Sequence, residues 1–136
     1  MKALSIRQPW CHRILNDGKD VENRNWYTNF RGPVLIYASK NFDLEHKDIV
    51  IQLGCPLGAI VGMVPITDCV TSHPSRWFFG KYGFVLGNPV ALSTPVPCRG
   101  ALKFFDVPPT VEHAVAYQLG LFHHEISIFF EGGHGP

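Results

Sequence analysis

The sequence predicts an α+β domain, a small, strongly bent β-barrel flanked by short helices, and three observations carry that expectation. Apolar, strand-like segments of uneven length recur between turn signals. The longest, residues 58–68, is interrupted by Gly62 and Pro65, and proline cannot donate within a ladder, so the strand is expected to bend or bulge there as at a barrel corner. Only a few short segments carry a helical period, which suits helices at a barrel rim. At 136 residues the chain is long enough for one core and too short for two, since domains mostly run to about 100–150 residues.

Residues 2–6 suit a short strand. Pro9, with its fixed φ, can occupy the first turn of a helix that carries Trp10, Ile14 and Leu15. Gly18 closes that helix through a left-handed cap, so Lys19 leaves from a defined corner. Residues 20–26 read as a strand with Glu22, Arg24 and Trp26 on one face and Val21, Asn23 and Asn25 on the other. Neither face is apolar. A strand that contradicts the core-filling pattern around it points to a functional site; read as structure alone, it is a solvated edge strand with an exposed ion pair.

A turn through Asn29 and Gly32 leads to 33–39, whose continuous apolar character indicates a central strand ending at Ser39 and Lys40. Residues 43–53 are expected to form a helix with Asp43 as N-cap and Leu44, Ile49 and Leu53 turned inward, stopped by Gly54 or Pro56. After the bent strand 58–68, residues 72–83 read as a loop rich in Pro, Gly and aromatics. A strand at 84–86, another at about 101–105 and a helix at 111–119 follow, and 132–136 read as a frayed tail. Nothing divides the chain, so residues 1–110 are expected to form the domain and 111–136 a C-terminal helix and tail packing on or extending from it.

The net charge of +1 gives no global field that would draw the protein to nucleic acid, so anion binding must come from a local cluster. With 46% hydrophobic and 17% charged residues, against roughly 25% charged in typical domains, the chain is compact rather than disordered. Cys11, Cys55, Cys69 and Cys98 form no Cys-x-x-Cys, and His123, His124 and His134 lie in the tail without a third ligand at fixed spacing, so no metal site and no cofactor are expected. The N-terminal segment lacks a long apolar run and no segment approaches a membrane span, which predicts a cytoplasmic protein with buried free thiols and no membrane partner. A monomer is the expected state. Glycine-rich phosphate-cradling motifs are absent, which gives phosphoryl transfer no support.

Lys19 and Arg24 supply one flexible point charge and one planar fork, suited to a phosphate or a polar base edge, and Glu22 adds an acceptor that can fix the fork or take an exocyclic amine. Trp10 and Trp26 offer stacking faces, worth about 1–3 kcal/mol per stacked base. Gln8 carries an amide fit for a base edge, and Ser39 and Lys40 stand at a strand end where a cleft can open. Arg7, Arg76, Lys81 and Arg99 are candidates for a basic rim. Without a ligand, the trio is an ion-pair network and the tryptophans are core.

The run Leu4-Ser5-Ile6-Arg7-Gln8-Pro9-Trp10, then Gly18-Lys19 with Glu22 and Arg24, then Arg31-Gly32 before Ile36-Tyr37-Ala38-Ser39, resembles the ASCH domain (activating signal cointegrator 1 homology). Trp77 to Leu86 and Pro97-Cys98-Arg99-Gly100-Ala101-Leu102 before Phe105-Asp106 resemble its second half, so the likeness spans roughly residues 3–107. It implies the PUA-like fold and a cleft associated with RNA or other nucleic-acid ligands. The family signature Gly-x-Lys-x-x-Glu-x-Arg is matched at Lys19, Glu22 and Arg24, with Gly18 adjacent to the lysine rather than two residues before it.

The resemblance also raises catalysis. Small ASCH amidohydrolases act on N4-acylcytidine through a lysine that activates a threonine three residues later, and Glu22 stands at that position here. Thr28 and Ser39 are substitute hydroxyls and Asp68 a candidate acid. In a ribonuclease, Glu22 would be the general base and Lys19 or Arg24 the phosphate stabiliser. Lys19 and Glu22 are thus the catalytic candidates if the chain is an enzyme. The leading expectation is a module that binds RNA, single-stranded DNA or a nucleotide through a cationic and aromatic cleft, at Gln8, Trp10, Lys19, Glu22, Arg24, Trp26, Ser39 and Lys40. A protein-interaction module of the transcription-coactivator kind is the third class.

Overall fold

The computed structural model describes residues 1–121; the tail and its three histidines lie outside the described residues. The chain runs β1 (Lys2–Ile6), α1 (Trp10–Asn16), β2 (Val21–Arg24), β3 (Gly32–Ala38), a 3-10 turn (Leu44–His46), α2 (Lys47–Gln52), β4 (Ala59–Val70), β5 (Tyr82–Leu86), β6 (Val90–Pro97), β7 (Phe104–Asp106) and α3 (Pro109–Leu119). All seven strands join one sheet in the order β2-β5-β4-β3-β1-β7, with β6 paired to β4 off that path. β1 and β3 are parallel and the other pairs antiparallel. The expected α+β class holds, and the sheet bends strongly without its ladder closing.

β4 is the bent spine, pairing with β3, β5 and β6 along different parts of its twelve residues. Its register shifts between Ile60 and Gly62 and again between Ile66 and Asp68, next to the breaks read at Gly62 and Pro65. Gly62 is required there because a Cβ would lie 2.6 Å from Leu15 of α1 and 2.7 Å from the Val90 carbonyl of β6.

The continuous apolar run of β3 follows from burial on both faces. Val34, Ile36 and Ala38 point into one cluster with Leu4, Ile6, Ile14, Val64 and Phe84, while Leu35 and Tyr37 point into a second with Ala3, Ile60, Val111 and Val115. α3 covers the second cluster. Burying each such Leu, Ile or Phe side chain contributes about 1.5–3 kcal/mol. All four cysteines are free, with Cys11 and Cys69 buried and Cys55 and Cys98 partly so.

Three elements differ from expectation. The predicted helix 43–53 is a 3-10 turn followed by six residues of α-helix, capped by the Asp43 carboxylate, which accepts from the Glu45 N–H at 3.0 Å. Its Leu44 and Leu53 are exposed and Val50 is buried instead, because a 3-10 turn advances about 120° per residue and shifts the apolar stripe. β6 carries no legible strand pattern since it is mostly exposed and contains two prolines. β7 begins at Phe104 rather than 101, because Lys103 adopts φ +59° and breaks the extended backbone.

Candidate functional site

β2 is a four-residue edge strand paired only with β5, and its two polar faces do different things. On one face Asn23 reaches the segment before β5. Its Nδ2 donates to the Trp77 carbonyl at 2.8 Å and its Oδ1 accepts from the Phe79 N–H at 3.1 Å. Ser75 donates to the Asp20 carboxylate beside them. The segment read as a loop at 72–83 is thereby clamped over β2, which brings Trp77 to Lys19.

On the other face lies the charged trio. Gly18, at φ +74°, turns the chain so that the Lys19 N–H donates back to the Arg13 carbonyl at 3.1 Å. The Lys19 side chain is 4% exposed; its Nζ donates to the Val21 carbonyl, stands 3.8 Å from Glu22 Oε1 and lies 5.7 Å from the ring centres of both Trp10 and Trp77. Burial pushes its pKa down, Glu22 and Asp20 pull it back up, Arg24 lowers it further, and the net direction is downward. Desolvation outweighs the attraction of the neighbouring carboxylates.

Arg24 directs Nε and Nη2 to Glu22 Oε2 at 3.2 and 3.0 Å, and Nη2 also donates to the Ser5 carbonyl at 2.7 Å. That last bond ties β2 to β1 across a seam that no ladder spans. Among the described residues Arg24 Nη1 has no hydrogen-bond partner, and Glu22 Oε1 has only the lysine at 3.8 Å. One guanidinium donor and one carboxylate acceptor are therefore left unspent.

Glu22 and Arg24 line a cleft of about 610 Å³ walled by Trp10, Trp26, Ser5, Ser39, Asp43 and Lys103. A smaller recess of about 220 Å³, lined by Lys19, Trp77, Arg76 and Phe79, opens beyond Glu22 and Trp10. Trp10 is held by its indole N–H, which donates to Asp43 at 3.2 Å. Burial pushes the Asp43 carboxyl up, but hydrogen bonds from the Glu45 N–H and the Trp10 indole, with the His46 ring 3.3 Å away, bring it below the usual carboxylate range. Trp26 packs edge-on against Phe84 and Phe104, with Lys103 Nζ 5.0 Å and Arg24 Cζ 5.9 Å from its ring centre.

Of the residues singled out from sequence, Trp10, Lys19, Glu22, Arg24, Trp26 and Ser39 converge on these two cavities. Lys40 borders the neighbouring clefts instead. Gln8 is 1% exposed, with its amide nitrogen donating to the Pro56 carbonyl and its oxygen accepting from the His12 N–H, both at 3.1 Å. Its amide braces the loop before β4 rather than lining a cavity. Thr28 is buried and accepts from the Phe30 N–H, while Asp68 pairs with Arg31 at 3.6 Å, so neither lines the cleft. Asp43, Glu45 and His46 bring ligand-type atoms within 4.8 Å of one another, but Asp43 is already bonded to Trp10 and the Glu45 N–H.

Sequence reasoning missed Trp77, Asn23, Asp43 and Lys103 as cleft residues. Asp43 was legible only as a cap, and Trp77 only as part of a loop. Lys103 carried no signal, since nothing in its type announces a left-handed backbone that costs about 1 kcal/mol.

The family model of the ASCH domain matches residues 4–116, which takes in all of the sheet except the first two residues of β1, and most of α3. The chain belongs to the ASCH domain family. It is similar to activating signal cointegrator 1 of Homo sapiens, at 26% identity over 127 residues, covering 77% of this chain and 22% of that protein. The Mus musculus protein of the same name gives the same identity and coverage. The chain thus spans 22% of the length of these curated relatives. As an ASCH domain it has the PUA-like fold, and the family suggests RNA binding or a hydrolase-like role. Glu22 and Arg24 lie on β2 and line the larger cleft, and Lys19 lines the smaller recess.

Proposed function

We propose that this ASCH domain binds one nucleotide unit of RNA or single-stranded DNA in the 610 Å³ cleft, holding its base between a polar edge and an aromatic wall. The observation that carries this reading is the unspent pair of Arg24 Nη1 and Glu22 Oε1 at a site flanked by Trp10 and Trp26. A donor beside a carboxylate acceptor complements a base edge that offers an exocyclic amine next to a ring acceptor, as cytosine and adenine do. Duplex is disfavoured, because a base must be splayed out of its stack to enter. Lys103 and Arg7 at the rim are placed to take the nucleotide's own phosphate.

Titration of the four nucleoside monophosphates tests this. Affinity is expected to be highest for an amine-bearing base and to fall in Arg24→Lys, which keeps the charge but removes the planar fork. Unchanged affinity in folded Lys19→Ala and Arg24→Ala would overturn it. A second reading, amide hydrolysis of N4-acylcytidine, draws on the lowered Lys19 pKa, which favours the free amine. It lacks a hydroxyl three residues on, where Glu22 stands. Acetate release from N4-acetylcytidine would establish it, and no turnover at high protein concentration would reject it.

A further inference from the structure

Beside the Ser5–Ser39 wall of the cleft lies a second, larger one of about 830 Å³, and the two are neighbours that share Ser5, Ser39 and Leu102. Among the described residues, the charged side chains lining it are Lys40 and Arg99. Both are exposed, and neither forms an ion pair or a hydrogen bond among the described residues. By contrast Lys2, Arg13, Lys19, Arg24 and Arg31 all sit within 4 Å of a carboxylate. Of the seven lysines and arginines with no carboxylate within 4 Å among the described residues, four line these two clefts: Arg7 and Lys103 the first, Lys40 and Arg99 the second.

This second cleft is preformed. The Lys40 stem lies across Gly58, where a Cβ would come 3.1 Å from its Cε, so the glycine lets the stem lie against the backbone at the cleft wall. The Tyr37 ring closes the floor against Gly100, where a Cβ would come 2.1 Å from the ring, and the Tyr37 hydroxyl donates to the Cys98 carbonyl at 3.2 Å. Tyr37 is the only aromatic lining it and is 4% exposed, so no face is offered for stacking. Cations without a stacking surface suit a sugar–phosphate backbone and not a base.

We infer that the ligand is a strand rather than a lone nucleotide: the phosphates next to the recognised unit pass over Ser39 into the second cleft, where Lys40 and Arg99 receive them. This rests on the nucleotide-binding reading above. A strand so held gains two phosphate contacts, and single-strand contacts steepen the salt dependence by about 0.7 each.

The test compares cytidine monophosphate with pentanucleotides of cytidine and of deoxycytidine, which separate RNA from DNA, and with an acidic peptide of matched charge. Raising salt from 50 to 200 mM is expected to weaken a pentanucleotide by about sevenfold more than the mononucleotide in the wild type. Arg99→Gln should cut that excess to about 2.6-fold, and Lys40→Gln in addition should remove it. Both residues are exposed, so the fold is not at stake. Mononucleotide binding with no gain for either pentanucleotide overturns the inference and leaves the single-unit reading standing, whereas failure of every ligand overturns both. An equal gain for the acidic peptide also overturns it, by reducing the path to a nonspecific anion surface.

Discussion

Glu22→Gln is the change that most directly probes how the site is built. Glu22 is the one carboxylate shared by two cations, with Arg24 on Oε2 at 3.0 and 3.2 Å and Lys19 at 3.8 Å from Oε1. The three side chains are 4–16% exposed. Gln keeps the shape and one acceptor but removes the charge, leaving two largely buried cations without a counterion. Breaking a buried pair by removing one partner costs about 3–5 kcal/mol, and the retained amide acceptor places this case near 3 kcal/mol. With an unfolding entropy of about 2.1 cal/mol/K per residue over 136 residues, that is a fall in midpoint of about 10 °C. Thermal and urea unfolding measure it, with the urea midpoint shifting and the slope unchanged. Arg24→Met should cost less, because Glu22 then keeps Lys19. Added salt should leave both differences nearly intact, since buried pairs are poorly screened. A midpoint within about 2 °C of wild type, or a difference abolished by 1 M salt, would mean that the trio is an ordinary solvated ion pair and that the reasoning fails.

Lys19 makes a prediction with a definite sign. Its folded pKa is lowered from 10.5, so above that folded value the unfolded chain holds more protons at this residue, and its own contribution to stability rises with pH up to about 10.5, against the opposite slope of the buried thiols of Cys11, Cys55 and Cys98, which burial pushes up. Below the window this contribution is absent. Lys19→Met should lack the rise, and parallel urea-midpoint curves from pH 7 to 10.5 for the two proteins would refute it. Lys103→Gly removes the left-handed cost of about 1 kcal/mol while adding a similar glycine entropy cost, so stability should hold within about 1 kcal/mol. Nucleotide affinity should fall and its salt slope shrink by about 0.7, as isothermal titration at several salt concentrations would register. Asn23→Ala should destabilise by about 1–3 kcal/mol through the two lost bonds. It should also free Trp77 from its seat over Lys19, seen as stronger iodide quenching of a fluorescence component that Trp77→Phe eliminates.

The resemblance to the ASCH domain and the α+β class were both legible without coordinates. The strand runs were readable because β1 and β3 are buried on both faces, and burial leaves an apolar record in the chain itself. The breaks at Gly62 and Pro65 were readable because a residue that lacks a side chain or an N–H is chosen for a backbone reason. β6 left no record, since a mostly exposed strand imposes no apolar period.

For the site, residue type and a spacing of two on one short strand were enough to put Glu22 and Arg24 on a common face, and Gly18 was enough to mark Lys19 as leaving a corner. Those are local facts, set within a few bonds of backbone. Tertiary packing alone decided that Asn23 serves as an anchor for the segment at Trp77, and that the Gln8 amide is spent on Pro56 and His12. It also put Lys103 over Trp26, some seventy-seven residues away in sequence, and drove the Lys19 pKa down. The division has one physical cause. Periodicity and backbone chemistry act between near neighbours in the chain, whereas desolvation and hydrogen-bond partners depend on which distant segments fold against one another.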